Sequence, residues 1–577
     1  MYKISQSVIF IGWFAVASAQ DAQRNKDFLT YGRYHGIDRV TLLREQKSGD
    51  LRLPNFITDS MVLQRGENTS IWGWAKPGMP VHVRFGEISV ESKADAKGKW
   101  RAVFPTLKEN AAGQLLLVSS GDDIMAMENV IVGDVWLCSG QSNMDFPLQR
   151  CLDAKADPNK LVQSIIDRSE NPSIRVLEFH NVSPYGPAED LNITRWMSAT
   201  PKDVVNFSAV AYLYAREIYN ATGVPIGLID TSWGGSMLEP WVSPDELKKL
   251  ESAGDYLKAN AAKLAAWTPE VEKKAIAENE EKEQQYQSQL SQHFENLKLG
   301  KPTRLPRDFY WGAIPPQYGR DYTGNLFNGM IHPLSEMNLA GVIWYQGESN
   351  ANRALAYRES FPLLIRSWRA FFKKPQLPFY WVQLSSFDPK YKTDDEPGES
   401  KWAELREAQT MTTSLPCTGE AMSYDLGDAK DIHPKQKLLV AKRLALHALK
   451  NVYSKQDVIT DGPIYSSHVV QGPKVVLTFT PQGLPLMAGE AVPFQQIKKS
   501  SAPLRGFTVA GEDHVFHWAD AAIVGDTVEV TCGKVPNPQA VRYAWGNFTD
   551  ANLYNSQGLP AKPFRTDSSA PPVQSGK

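Results

Sequence analysis

Four short stretches of the chain set hydroxyl, amide, carboxylate and imidazole groups beside glycine. They are Ser139-Gly-Gln-Ser142-Asn-Met144, Asp230-Thr-Ser-Trp-Gly234-Gly235-Ser236, Gln346-Gly-Glu348-Ser349-Asn350, and Asp425-Leu-Gly-Asp428-Ala-Lys-Asp431-Ile-His433-Pro434. Together they supply a nucleophile, a base, carboxylates to orient the base, and N–H donors for an oxyanion, which is the set that acyl transfer needs. A serine hydroxyl becomes a useful nucleophile when an imidazole takes its proton and a carboxylate steadies the imidazolium. A single serine after a strand is ordinarily a turn residue. Four capable loops at equivalent places are harder to read that way. Of ten histidines, eight fall in leader, strand or helix contexts where packing or exposure is the default. His332 follows an apolar-aromatic stretch and reads as a packed loop residue, which leaves His433 as the base. Ser349 is the rival nucleophile, because Gly347-Glu-Ser-Asn-Ala351 approximates a G-x-S-x-G elbow. Its fifth position is Ala, and Asn350-Ala-Asn-Arg delays the next helix, so Ser142 is preferred.

The stretches follow apolar runs. Val135–Cys138, Ile174–Phe179, Ile226–Ile229, Gly341–Tyr345, Phe379–Leu384 and Ala421–Tyr424 alternate with helical patterns at Val210–Thr222, Ala354–Phe372 and Pro434–Lys450. Strand, crossover helix, strand predicts an α/β domain over 130–453, a parallel sheet with helices on both faces. Ligands of open parallel sheets bind beyond the carboxyl ends of the strands, where these loops lie. Residues 242–300 read as an inserted helical hairpin with a solvated charged face. Short alternating runs predict a β-domain over 53–129 and a second over 454–566, with a disordered tail at 567–577. Residues 20–52 form a leader of unassigned role. Lys3, the apolar run Val8–Ala17 and Ala17-Ser-Ala19 describe a secretory signal peptide over 1–19, so the protein is expected to be secreted or periplasmic.

These motifs carry a family likeness. Gly133-Asp-Val-Trp-Leu-Cys-Ser-Gly-Gln-Ser-Asn-Met144 resembles the nucleophile block of the sialate O-acetylesterase family, carbohydrate esterases of the SGNH-hydrolase superfamily. The likeness extends through Asp59-Ser-Met-Val-Leu-Gln-Arg65, Ile229–Ser236, Leu326–Ile331, Trp344–Asn350, Asp431–Pro434, Ala540–Trp545 and Asn552–Pro560, covering most of 53–566. It implies an SGNH-like (flavodoxin-like) sheet with β-rich domains at both ends. It also implies a serine carboxylic-ester hydrolase that removes O-acetyl groups through an acyl-enzyme, with Ser142 as nucleophile and His433 as base. Gly234 or Gly235 and the side-chain amide of Gln346 would line the oxyanion hole. The superfamily usually places Asp three residues before His, and that position is Lys430 here. Asp431 is the choice for the third member, with Asp428 or a Ser-His dyad as alternatives.

Composition narrows the partners. The chain has 62 Lys and Arg against 64 Asp and Glu, a net charge of −2 that removes the argument for a nucleic-acid partner. No further run is long enough to span a bilayer. Four cysteines without CxxC, and no HExxH, offer no metal site, so no metal or cofactor is expected. Cys138, Cys151, Cys417 and Cys532 allow some pairing that the sequence does not choose. The 16 Trp and 21 Tyr suit either a carbohydrate-facing surface or a large core, and the core reading is favoured. The expected substrate is an acetylated sugar or glycan, sialic acid first and a polysaccharide such as xylan second. Two other classes remain: a glycosidase pairing Glu348 with Asp145 or Asp134, and a non-catalytic glycan-binding protein. Oligomeric state is not legible.

Overall fold

The computed structural model describes residues 50–153, 157, 159–179, 181–191, 194–299, 313–392, 396–492 and 494–567. The expected signal peptide, nearly all of the leader and all but the first residue of the tail lie outside them. The described residues divide into two compact units, one within 50–261 and 320–567, the other within 262–299 and 313–319.

The larger unit is organised on one sheet. Its strands are β1 (Asp123–Gly140), β2 (Asn171–Phe179), β3 (Thr194–Ala199), β4 (Ile226–Asp230), β5 (Gly341–Tyr345), β6 (Phe379–Val382) and β7 (Thr418–Ala421), in the spatial order β7-β6-β5-β1-β4-β2-β3. The pairs from β7 to β2 are parallel, with Cys138 of β1 opposite Ile343 of β5 and Leu137 opposite Ile229 of β4. Covered on both faces, these strands are continuous apolar runs. The sheet is mixed rather than wholly parallel, because β3 pairs antiparallel to β2 at the edge. A second correction falls beside the site: β7 ends at Ala421, and Met422–Tyr424 leave the ladder to begin a short turn at Tyr424–Leu426. The Ser423 hydroxyl is drawn instead to the Gln383 carbonyl and to Ser385.

Among the described residues, Trp136, Trp241, Trp344, Trp368 and Trp381 are fully buried in the core. Trp344 of β5 meets Trp241 and Trp368 edge-on, with ring centroids 5.9 Å apart in both pairs. Trp136 of β1 packs on Tyr214 and Tyr380. All of these rings are fully buried, and truncating one such ring typically costs about 3–5 kcal/mol.

Strand β1 is unusually long, and its two halves do different work. The first half pairs antiparallel with Asn110–Ser120, and the middle pairs with Val62–Gln64. The last half is the centre of the main sheet. A single strand therefore runs through 129–130, where the sequence pattern changes. Arg175 clamps this junction through the Ser60 carbonyl and both oxygens of Asn129.

The carboxyl-terminal strands include the antiparallel set Tyr465–Gln471, Lys474–Phe479, Thr527–Thr531 and Asp520–Val524, and the pair Phe507–Ala510 with Ala540–Tyr543. Their core is continuous with Met422 and Tyr424. The Tyr424 hydroxyl donates to the Ala561 carbonyl at 2.8 Å, and Arg443 holds Asp425 in a bidentate pair at 2.7 Å. This anchors the loop that leads to His433.

Within 242–299 the chain forms helices at Pro244–Leu247, Gly254–Ala265 and Pro269–Lys298. In the smaller unit the long Pro269–Lys298 helix is mostly exposed and buries Ala275 and Asn279, whose amide donates to the Ala313 carbonyl at 2.9 Å. The four thiols are all free.

Candidate active site

Strand β1 delivers the first component. Gly140 closes it with φ +135°, and a Cβ there would overlap the Tyr345 carbonyl of β5. Only glycine lets the chain pass this close and turn. The turn that follows is tied by Met144 and Asp145 N–H groups donating to the Gln141 carbonyl, and it presents Ser142.

The loop after β4 is stitched to the end of β1. Thr231 N–H donates to the Cys138 carbonyl at 2.8 Å, and Trp233 N–H to the Gly140 carbonyl at 3.0 Å. Gly234 then lies against Ser142: a Cβ on it would stand 3.4 Å from the Ser142 Cβ. The same Cβ position would stand 3.5 Å from Asp145 Oδ2, and burial raises the Asp145 pKa, which the Gly234 N–H opposes. Gly235 takes φ +73°. Arg320 Nη1 donates to the Gly234 carbonyl at 2.6 Å, and the same guanidinium holds Asp321.

The histidine arrives from the far edge of the sheet. His433 Nε2 stands 2.8 Å from Ser142 Oγ. The imidazole stacks on Phe146, ring centroids 6.2 Å apart and 28° between planes. Asp431 Oδ1 accepts the His433 N–H at 2.9 Å and lies 3.7 Å from Nδ1. Burial holds the His433 pKa below the ordinary value; Lys437 and Arg150 push the same way, and Asp431 opposes them. The imidazole is thus set to be neutral, with a lone pair for the serine proton. The following helix begins at Lys437 rather than Pro434, so His433 lies three residues further from the helix start than the sequence implied.

The structure does not bring every expected residue to this point. Gln346 is fully buried. Its amide nitrogen donates to the Ser236 carbonyl and Asn350 Oδ1, and its oxygen accepts from Tyr357, so the expected oxyanion donor is instead a brace between loops. Asp428 accepts from the Lys430 and Asp431 N–H groups. Ser349 Oγ donates to the Gly235 carbonyl at 3.1 Å. His332 Nδ1 meets the Ala188 carbonyl among Phe327 and Phe371. Of the glycosidase carboxylates, Asp134 is held by Arg65 and Gln64, and Glu348 by Asn143.

Three residues around the serine escaped sequence reasoning: Arg320, Asn143 and Lys437. Arg320 follows no strand and gave no signal. Asn143 was visible inside the Ser142 stretch, and Lys437, two residues after Lys435, resembled an ordinary charged residue at the head of a helix.

Comparison with known proteins points to carbohydrate esterases. The family model described as carbohydrate esterase, sialic acid-specific acetylesterase matches residues 314–450, which contain Asp431 and His433. The sialate O-acetylesterase of Homo sapiens is 27% identical over 553 residues, covering 89% of this chain and 92% of its own. That of Mus musculus is 27% identical over 576 residues, covering 92% of this chain and 98% of its own. The crystal structure of a carbohydrate acetylesterase from Xanthomonas citri superposes with a TM-score of 0.71 at 32% identity, covering 90% of this chain and 100% of that one. With relatives alike over nearly their whole lengths, the chain belongs to the sialate O-acetylesterase family, carbohydrate esterases that hydrolyse acetyl esters.

Proposed function

We propose that the protein removes O-acetyl groups from sialic acids by a serine acyl-enzyme mechanism on an SGNH-hydrolase-like sheet. The observation that carries the mechanism is the 2.8 Å approach of His433 Nε2 to Ser142 Oγ. Nε2 takes the hydroxyl proton as Oγ attacks the acetyl carbonyl, forming a tetrahedral oxyanion. The backbone N–H groups of Ser142 and of Gly234 or Gly235 receive that charge, where preorganised donors cost no reorganisation. Collapse breaks the ester C–O bond, and His433 returns the proton to the departing sugar oxygen. A water, deprotonated by His433, then attacks the acetyl-serine; the C–Oγ bond breaks, His433 returns the proton to Ser142 Oγ, and acetate leaves. Asp431 steadies the imidazolium across 3.7 Å.

The preference for sialic acid over a neutral polysaccharide is supported by Arg320. Among the described residues its three hydrogen bonds use three of the five N–H groups of a guanidinium. The other two remain for an anion beside Gly234, and sialic acid carries a carboxylate that xylan lacks. The amino-terminal sequence supports export, with cleavage after Ala19. Paired acetate-release assays on O-acetylated sialic acid and on acetylated xylan test the reading. Faster turnover of the sialic ester, abolished by Ser142→Ala, is expected. Faster turnover of xylan would reassign the sugar, and glycan binding without hydrolysis would reassign the class.

A further inference from the structure

Beneath the Ser142–His433 pair lies a buried chain of polar groups. Lys437, the first residue of the helix Lys437–Asn451, is fully buried. Its ammonium donates to Asn143 Oδ1 and lies 5.0 Å from the ring centres of both Phe146 and Tyr345. Asn143, also fully buried, donates through Nδ2 to the Ile432 carbonyl at 3.1 Å and to Glu348 Oε1. One amide therefore joins the residue after the serine, the residue before the histidine, and the loop after β5.

We propose that Lys437 is a positioning residue for hydrolysis, acting through Asn143 to fix the His433 loop against Ser142. The proposal rests on the serine–histidine reading above. Its logic is one of donors and acceptors. The ammonium offers only donors, so it demands the amide oxygen. The Ile432 carbonyl and the Glu348 carboxylate offer acceptors, so they demand the amide nitrogen. The three partners permit one orientation of Asn143, and that orientation clamps the backbone beside the base. A hydrophobic residue at 437 would spare the cost of burying a charge, but it would leave Asn143 free to turn over.

Lys437 also acts on His433 by its charge. Burial pushes the Lys437 pKa down to about 7, while the imidazole titrates below its own ordinary value. The lysine is therefore largely charged over the range where His433 takes up its proton, and it opposes that uptake. The other titratable or charged groups facing the pair are Cys151, Glu348, Asp431, Arg150 and the Tyr345 phenol.

The test uses the full chain with Lys437→Met, Asn143→Ala and the double variant, assayed on 4-nitrophenyl acetate with melting followed in parallel. A loosened base should lower kcat about 10- to 100-fold with KM nearly unchanged. The double variant should be no worse than the poorer single, because both act through one link. In Lys437→Met the acid limb of kcat/KM should move to higher pH, as the opposing charge is removed. A folded Lys437→Met enzyme with unchanged kcat and an unmoved limb would overturn the proposal, as would losses that multiply. If that variant folds poorly, Asn143→Ala decides: reduced kcat at constant KM supports the link, and normal kcat refutes it. Activity surviving Ser142→Ala would instead bring down the mechanism on which the proposal rests.

Discussion

Asp431 meets His433 through a single oxygen: Oδ1 accepts the histidine's own backbone N–H at 2.9 Å and stands 3.7 Å from its Nδ1. The longer distance exceeds a hydrogen bond, so at rest the carboxylate acts on the ring chiefly by charge. It is also half-exposed, which weakens that charge. Asp431→Asn keeps an oxygen for the backbone N–H and removes only the charge. The expected loss in kcat/KM is about 10- to 100-fold, well short of a missing nucleophile. Asp428→Asn should lie within about threefold of the parent, because its oxygen caps N–H groups away from the ring. Steady-state kinetics of the two variants checks the ranking, and the reverse order would transfer the role to Asp428.

The pH profile follows from the same electrostatics. Below its pKa His433 is protonated and cannot accept the Ser142 proton; as pH rises through that pKa the base forms and activity appears. Burial, Lys437 and Arg150 hold the value down, and Asp431 pulls it up less strongly. The acid limb of kcat/KM should therefore be centred below about 6.5, the ordinary imidazole value. Asp431→Asn should move it lower still. A parent midpoint above that value, or an upward move in Asp431→Asn, would contradict the assigned surroundings.

Ser142→Ala should remove nearly all acetyl-ester hydrolysis, a loss of about 10⁴-fold or more, with melting unchanged, because the covalent step loses its attacking oxygen. Ser349→Ala should retain most turnover, since its hydroxyl is spent on the Gly235 carbonyl. Mass spectrometry after an organophosphonate reads the nucleophile directly. An adduct on Ser349 with Ser142 unmodified would overturn the assignment.

What the sequence disclosed was local, and what it missed depended on distance. Continuous apolar runs mark strands buried on both faces, so β1, β4, β5 and β6 were readable, and with them the loops carrying Ser142 and Gly234. The sequence separation of 291 between Ser142 and His433 did not hide their pairing, because both follow sheet ends. Orientation was another matter. Gln346 lies in the right loop but turns its amide toward Ser236 and Asn350, a choice made by partners that no spacing discloses. The end of β7 was misplaced because Met422, Ser423 and Tyr424 suit a strand by type while side-chain bonding draws them out of it. Arg320 reaches Gly234 from a segment without strand or helix pattern, and sequence reasoning had nothing to hold there.

Two glycines separate backbone strain from function. Gly223 ends the helix Ala209–Thr222 at φ +73°, with open space where a Cβ would go. Gly223→Ala should cost only about 1 kcal/mol and leave activity intact. Gly140→Ala adds a clash with the Tyr345 carbonyl to an unfavourable φ, beside the nucleophile turn. It should cost at least about 2 kcal/mol and lower kcat further than the loss of folded protein explains. Urea denaturation with assays on the folded fraction tests both. Equal destabilisation by the two substitutions would show that the β1–β5 approach is looser than it stands here.

The last expectation concerns the sugar. Arg320 sits against the Gly234–Gly235 turn, its Nη1 only 3.1 Å from where a Gly235 Cβ would stand. The guanidinium is partly exposed and already carries the Asp321 carboxylate. That pair fixes its plane, so ordering the side chain costs a substrate less than it would with a free arginine. A sialic acid carboxylate meeting the remaining N–H groups would gain a charge-assisted bond, which a neutral acetylated xylan cannot make. Arg320→Met keeps much of the apolar stem and removes the charge. For O-acetylated sialic acid it should raise KM about tenfold, the measure of about 1.4 kcal/mol, with a smaller change in kcat because the contact lies away from the reacting carbonyl. For 4-nitrophenyl acetate and acetylated xylan both constants should stay within about twofold. The ratio of the KM changes isolates recognition of the carboxylate from any general disturbance of the glycine turn, which would slow all three substrates together. Equal losses on all three would make Arg320 a brace for Gly234 and remove the charge argument for sialic acid.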